Sequence, residues 1–353
     1  MRHFLFFLFF LCLACLAAEE SAAQAAKRIK GILTVLPMQT ERRLVLGQNL
    51  GHGADALRQE KTLMEDPRLG GKKPLMIGID YGIDELDPEA IRVANRCAIA
   101  HHQAGGWVTI SMHPYNPIYG GESLRRCEKM DVDAILKKGT EANLRWISIL
   151  DKVGKGLLEL KQAGVPVLWR PFHEANGNWF WWGTPFTGPD GFIRLWKDMK
   201  TRLDAKKLDN LIWIYSVNCV VTPDITPVDA GYPGDAWVDA TGLDIYTDGW
   251  DAERIREDLG KLRKLGKPVG VSEYGPKPNG LMPMIDISDL PERLARACPE
   301  ACYILFWHDF TEKALRFFAV HQKMSLAQHP GIGTLMEHPK VLRLGDPLPE
   351  GGM

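Results

Sequence analysis

The sequence predicts a single (β/α)8 barrel, an α/β fold of the TIM type. Three observations carry the expectation. Short β-rich runs alternate with longer amphipathic stretches from about residue 44, eight such runs can be counted, and several are apolar at nearly every position. Alternation of this kind builds a parallel sheet, and strands covered on both faces by helices must be apolar throughout. No Pro/Ser/Gly linker or charge run divides the 353 residues, so one large barrel is a simpler account than two small domains.

The runs are Leu44–Asn49, Leu75–Asp80, Trp107–His113, Val165–Arg170, Leu211–Val217, Thr241–Tyr246, Pro268–Glu273 and Cys302–Trp307. Val165-Pro166-Val167-Leu168-Trp169 and Leu211-Ile212-Trp213-Ile214-Tyr215 show the continuous apolar character best. Between the runs, Pro88–Ala104, Thr140–Ala163, Gly191–Ala205, Ala252–Leu265 and Ser288–Ala297 repeat apolar residues at helical spacing. Gly105, Gly164 and Gly266 stand as stop signals for three of them. Residues 310–353 read as a last helix and a closing tail. No short-period repeat or low-complexity tract appears, which removes solenoid and disordered-tail architectures.

Residues 1–26 differ in kind from the rest. Met1-Arg2-His3 is a short basic start, Phe4 to Ala18 is an apolar run, and Ala23-Gln24-Ala25 offers an A-x-A cleavage site, so the segment reads as a secretory signal and 27–353 as the catalytic barrel. The run is about 15 residues where a membrane span needs about 20, so no transmembrane segment is expected after signal removal. Anchoring by a lipid on Cys15 is the minor alternative, although Cys12 sits where such a signal carries an aliphatic residue. The protein is expected to be secreted, periplasmic or extracellular.

Lys plus Arg number 43 against 44 Asp plus Glu, so the chain lacks the basic excess a polyanion binder needs and nucleic acid is excluded as a partner. A neutral ligand is the easier partner, and a monomer is expected. Processing would leave Cys97, Cys127, Cys219, Cys298 and Cys302, an odd set compatible with buried thiols or with one or two bridges. None has a Cys/His neighbour set at zinc-site spacing, so neither a metal nor a cofactor is predicted.

In a barrel of this kind the carboxyl ends of the strands form the active face. The runs end there in polar residues: Asp80, His113, Arg170 through His173-Glu174, Asn218, Asp244 with Tyr246, Glu273, and Trp307-His308. One strand-end carboxylate means little, since Asp and Glu often cap the following helix. Glu174 after the fourth run and Glu273 at the end of the seventh mean more, because those strands face each other across the mouth. Glycoside hydrolysis needs such a pair, and retention of configuration needs the carboxyl groups about 5 to 5.5 Å apart.

The stretch Trp169-Arg170-Pro171-Phe172-His173-Glu174-Ala175-Asn176-Gly177-Asn178-Trp179-Phe180-Trp181-Trp182-Gly183 resembles glycoside hydrolase family 26, whose best-known members are β-mannanases. The resemblance extends through His113-Pro114, Asn116-Pro117, Leu243-Asp244-Ile245-Tyr246, Ser272-Glu273 and Phe306-Trp307. It implies Glu174 as acid/base and Glu273 as nucleophile. It also implies that His113 and His173 line the subsite beside the scissile bond, that Tyr246 donates to the nucleophile, and that Trp179 and Trp307 form an aromatic floor and wall. Asp80, Arg170 and Asn218 join the expected substrate-binding set. Arg170 is either the charge partner of Glu273 or half of a structural ion pair. For Trp181 and Trp182 hydrophobic packing is preferred. The aromatic run after Glu174 could desolvate it and raise its pKa, as a general acid requires.

Two departures stand out. Met112 precedes His113 where family members commonly carry Trp, and His308 follows Trp307 where some carry an Arg. They leave the choice of β-glycan open: mannan, glucomannan or galactomannan first, with β-1,3-1,4-glucan or β-1,3-xylan as alternatives inside the family. A non-catalytic carbohydrate-binding protein would have had to keep both glutamates without need of them. A zinc hydrolase is disfavoured, because Gly177 stands where a zincin helix needs its second His.

Overall fold

The computed structural model describes residues 20–53, 55–121, 123, 129–219, 225–246, 253–275, 285–315 and 318–351. Its strands are β1 (Leu44–His52), β2 (Met76–Asp84), β3 (Trp107–Pro114), β4 (Val167–Arg170), β5 (Leu211–Asn218), β6 (Ala240–Ile245), β7 (Val269–Tyr274) and β8 (Tyr303–Phe306). Each pairs in parallel with the next, and β1 pairs with β8 through Val45–Tyr303 and Leu46–Ile304, which closes the barrel. The expected runs and observed strands coincide to within two residues at most ends.

Side-chain alternation along each strand decides what faces inward. On β4, Val167 and Trp169 join the core under the helices, while Leu168 joins the cluster at the foot of the barrel. Ile212 and Ile214 of β5 do the same, and Trp213 and Tyr215 face the helices. Two residues further up the inward line the character changes, to Arg170 on β4 and Ser216 on β5, both buried. Each strand thus runs from an apolar foot to a polar mouth.

The helices are α1 (Ala22–Val35), α2 (Asp55–Met64), α3 (Pro88–Gln103), α4 (Val132–Leu136), α5 (Glu141–Gln162), α6 (Thr184–Thr187), α7 (Pro189–Ala205), α8 (Glu253–Lys264), α9 (Leu290–Ala297) and α10 (Ile332–Glu337). The outer helices bury aromatic stripes such as Phe192 and Trp196 of α7 against β4 and β5. Among the described residues no helix is long and apolar enough to cross a membrane.

Two expectations change. The A-x-A site at Ala23-Gln24-Ala25 lies inside α1, which starts with a capping box between Ser21 and Gln24 and an ion pair from Glu20 to Arg28. Ala22, Ala25, Ala26, Ile29, Ile32 and Leu33 of α1 are buried, and from Ala26 onward this face plugs the foot of the barrel against Leu168, Ile212 and Leu305. Among the described residues, the expected cleavage site thus falls within a helix packed on the barrel. Residues 310–353 contain more than a helix and a tail: a hairpin of β9 (Phe310–Leu315) and β10 (Phe318–Gln322), α10, and β11 (Val341–Leu342), which pairs in parallel with Leu44 and Val45 of β1.

Cys97, Cys298 and Cys302 are buried free thiols and Cys219 is a half-buried one. Burial pushes the Cys298 thiol up to about 11, so it is inert. Cys127, Cys12 and Cys15 lie outside the described residues, as does Ala252 at the start of the expected helix over 252–265.

Candidate active site

Glu174 does not lie on β4 but four residues beyond its end, in a tight turn. Its φ of +52° places it in the left-handed region that L residues with side chains seldom adopt. The turn is held by hydrogen bonds from Ala175 N to Ser216 O and from Gly177 N to Glu174 O. Gly177 is glycine for a reason of space: a Cβ there would stand 2.4 Å from the Trp179 ring. The close approach lets the Trp179 indole N–H donate to Glu174 Oε2, while Asn218 Nδ2 donates to Glu174 Oε1.

Glu273 reaches the same space by another device. The β6–β7 register runs Leu243 to Val271 and then Asp244 to Glu273, so one extra residue bulges from β7. A bulge re-aims side chains. Here Ser272 and Glu273, neighbours in sequence, both bond groups of the barrel interior. Ser272 Oγ donates to Asp244 Oδ1 at 2.5 Å. Glu273 Oε1 accepts from Arg170 Nη1 at 2.9 Å, and Glu273 Oε2 accepts from Tyr246 Oη at 2.5 Å.

Carboxylate oxygens of Glu174, Glu273 and Asp244 all lie within 4.8 Å of one another, and all three residues are buried. Their surroundings differ. Burial, and then the nearby Glu273 charge, push the Glu174 carboxyl up to about 7. Burial and Glu273 likewise hold Asp244 well above the usual carboxylate range, against the pull of Arg170 at 3.9 Å. Glu273 has the only arginine in the group at hydrogen-bond distance.

The histidines form a second layer. Burial would lower His113, but Asp80 overcomes it and holds the ring above its ordinary pKa. Its Nδ1 lies 2.9 Å from Asp80 Oδ2 and its Nε2 lies 2.9 Å from His173 Nε2. Burial, with the neighbouring His113 and Arg170 cations, keeps His173 far below the usual range and therefore neutral. Asp80 is fully buried. It also accepts from Ser111 and from Gly82 N, and so acts on substrate only through His113.

The remaining expected residues fall as follows. Trp307 borders a cavity of about 820 Å³ shared with His52, His113, Phe180 and His308, whose lining does not include Glu174 or Glu273. Trp179 is half-buried against Glu174. Asn218 is buried beside Glu174, and its Oδ1 has no protein partner. Trp181 and Trp182 are fully buried, their indole N–H groups bonded to Pro114 O and His173 O. Arg170 is buried and spends its Nη1 on Glu273 Oε1 at 2.9 Å. Asp244 and His52 were not among the expected site residues. Asp244 has a sequence signal in its place two residues before Tyr246, whereas His52 follows the first run by three residues and has none.

The sequence profile of glycosyl hydrolase family 26 matches residues 21–330. The chain belongs to that family. Family 26 relatives include the mannan endo-1,4-β-mannosidase of Bacillus subtilis strain 168, 33% identical over 296 residues, covering 78% of this chain and 77% of that protein. Another is the mannan endo-1,4-β-mannosidase A and B of Caldalkalibacillus mannanilyticus, 32% identical over 295 residues. That match covers 78% of this chain and 55% of the relative's length. Among solved structures, that of Bacillus subtilis mannanase man26 superposes with a TM-score of 0.76 at 28% identity, covering 94% of this chain and 97% of the other. The closed parallel barrel is thus the family 26 fold.

Proposed function

We propose that this protein is a retaining endo-β-1,4-mannanase acting on mannan, glucomannan or galactomannan by double displacement. The observation that carries the reading is the pair Glu174 and Glu273, within 4.8 Å and in opposite electrostatic settings. That separation suits direct attack on the anomeric carbon and leaves too little room for the water of an inverting mechanism. The mannanase names of the relatives support the substrate class.

In the first step Glu174, protonated up to about pH 7, gives its proton to the glycosidic oxygen as the C1–O bond breaks. Glu273 Oε2 or Oε1 attacks C1 and forms a glycosyl ester, and the leaving chain departs as an alcohol. Arg170 and Tyr246, hydrogen-bonded to its two oxygens, orient Glu273 until then. Glu174, now a carboxylate, takes a proton from water, which attacks C1 and releases Glu273. Trp179 and Asn218, donating to its two oxygens, hold the Glu174 carboxyl in place through both steps.

Export belongs to the same reading, because a polysaccharide must be met outside the cell. It is supported by the basic start and apolar run of residues 1–18, and the capped start of α1 at Ser21 favours processing upstream of that residue. The test is the purified enzyme on galactomannan, glucomannan, lichenan and β-1,3-xylan, with proton NMR of the first products. Internal cleavage of mannan giving the β-anomer is expected. Inverted products, or inactivity on every β-mannan, would overturn the assignment.

A further inference from the structure

The ends of β1, β2 and β3 bring His52, Asp80 and His113 together on the cavity side of the mouth. The β1–β2 register shifts between Asn49 and His52, and the shift sets His52 opposite Asp80. His52 Nδ1 lies 3.3 Å from Asp80 Oδ1, and His113 Nδ1 lies 2.9 Å from Asp80 Oδ2. Ligand atoms of the three residues all fall within 4.8 Å of one another.

We propose that His52, Asp80 and His113 form a binding site for a divalent transition ion of the Zn2+ type, and that its occupation reversibly inhibits the enzyme. Four observations support the site. Two imidazoles and one carboxylate suit Zn2+ or Cu2+ and do not suit Mg2+ or Ca2+, which prefer oxygen. Metal–ligand bonds of about 2.0–2.2 Å put adjacent ligand atoms about 2.9–3.5 Å apart, the range that the His52–Asp80 and His113–Asp80 contacts already occupy. His52 Nδ1 is a buried nitrogen without a hydrogen bond: it stands near Asp80 but out of line with it, an orphan of the kind an ion accounts for. The His52 side chain is 26% exposed and borders the 820 Å³ cavity, which gives an ion a path in and leaves coordination positions for water.

The charge balance is favourable. Asp80 is fully buried, with His113 Nδ1 at 2.9 Å and His52 Nδ1 at 3.3 Å as the imidazole nitrogens that face its carboxylate. A metal ion takes over the position of the His113 Nδ1 proton, which leaves to solvent, so the buried carboxylate stays compensated. His113 keeps its Nε2–H for His173 Nε2. Inhibition follows from place and charge. The ion fills the wall of the cavity next to Trp307, and His113 is already near enough for its charge to favour the ionised form of Glu174. A second positive charge there removes the acid proton on which the first step depends. This consequence rests on the proposed function; the binding itself does not. Sequence spacing hides the site, because its three ligands come from three strands.

The experiment titrates ZnCl2 into EDTA-dialysed, full-length enzyme by calorimetry and follows galactomannan hydrolysis in parallel. One saturable Zn2+ per chain is expected, with loss of kcat/KM at the same midpoint and recovery on adding EDTA. In His52→Ala, shown folded by circular dichroism, the Zn2+ affinity should fall about tenfold or more. Crystals soaked in Zn2+ should show one anomalous peak between these side chains. No saturable binding, or binding that His52→Ala leaves unchanged, overturns the site. Saturable, His52-dependent binding that leaves mannan cleavage untouched overturns the inhibition. If the calorimetry holds but no β-mannan is cleaved even without zinc, the substrate reading has failed and the metal site has not.

Discussion

Glu174→Gln separates the electrostatic cost of the general acid from its packing. The folded protein raises this carboxyl from its ordinary value of 4.5 to about 7, chiefly by burial. Between those two pH values the folded chain holds a proton that the unfolded chain has lost, so stability declines as pH rises through the window. A difference of about 2.5 pKa units corresponds to about 3 kcal/mol, a stabilisation fully present below about pH 4 and lost above about pH 8. Gln is close in shape to the protonated acid and cannot ionise. One of its ends must face a donor, from either Trp179 or Asn218, which costs about 1 kcal/mol at every pH. The readable quantity is therefore the slope. Urea unfolding of wild type and variant at half-unit steps from pH 4 to 9 should show the stability difference moving in favour of Gln by about 3 kcal/mol. The basic limb of kcat/KM in the wild type should fall about tenfold per pH unit above about 7, tracing the same group. A pH-independent stability difference, or one that grows towards acid, would refute the claim that burial tunes Glu174.

Three further expectations follow from the geometry. Tyr246→Phe removes a hydrogen bond to the charged nucleophile and should lower kcat/KM on mannan about ten- to hundredfold; wild-type kinetics would remove Tyr246 from the machinery. Arg170→Met leaves Glu273 and Asp244 buried without their cation and should cost about 3–5 kcal/mol in urea unfolding at pH 8, less at pH 4 where carboxyls take up protons. An equal loss at both values would contradict the ion-pair account. A chain starting at Lys27 loses the Ser21 cap and three buried alanines. It should unfold on the order of 2–3 kcal/mol earlier than one starting at Glu20, and equal stability would place α1's first turn outside the fold.

The sequence by itself determined the barrel and drew attention to Glu174 and Glu273, because both depend on local pattern. Each strand's apolar run and polar tip, as in Leu168 followed by Arg170, is written in consecutive residues, and the long stretch from Trp169 to Gly183 is improbable outside its family. Helix α1 escaped because its first turn shares small apolar residues with an export signal. Only packing distinguishes them: Ala26, Ile29 and Ile32 are buried against inward residues of strands far along the chain. The hairpin of β9 and β10 and the pairing of β11 with β1 are equally non-local. Tertiary structure alone decided the electrostatics. The β7 bulge that aims Glu273 at Arg170, the positive φ of Glu174, and the meeting of His52, Asp80 and His113 arise from register between strands. Charges separated by a hundred residues interact through space, at energies set by burial and distance, and linear spacing carries neither quantity.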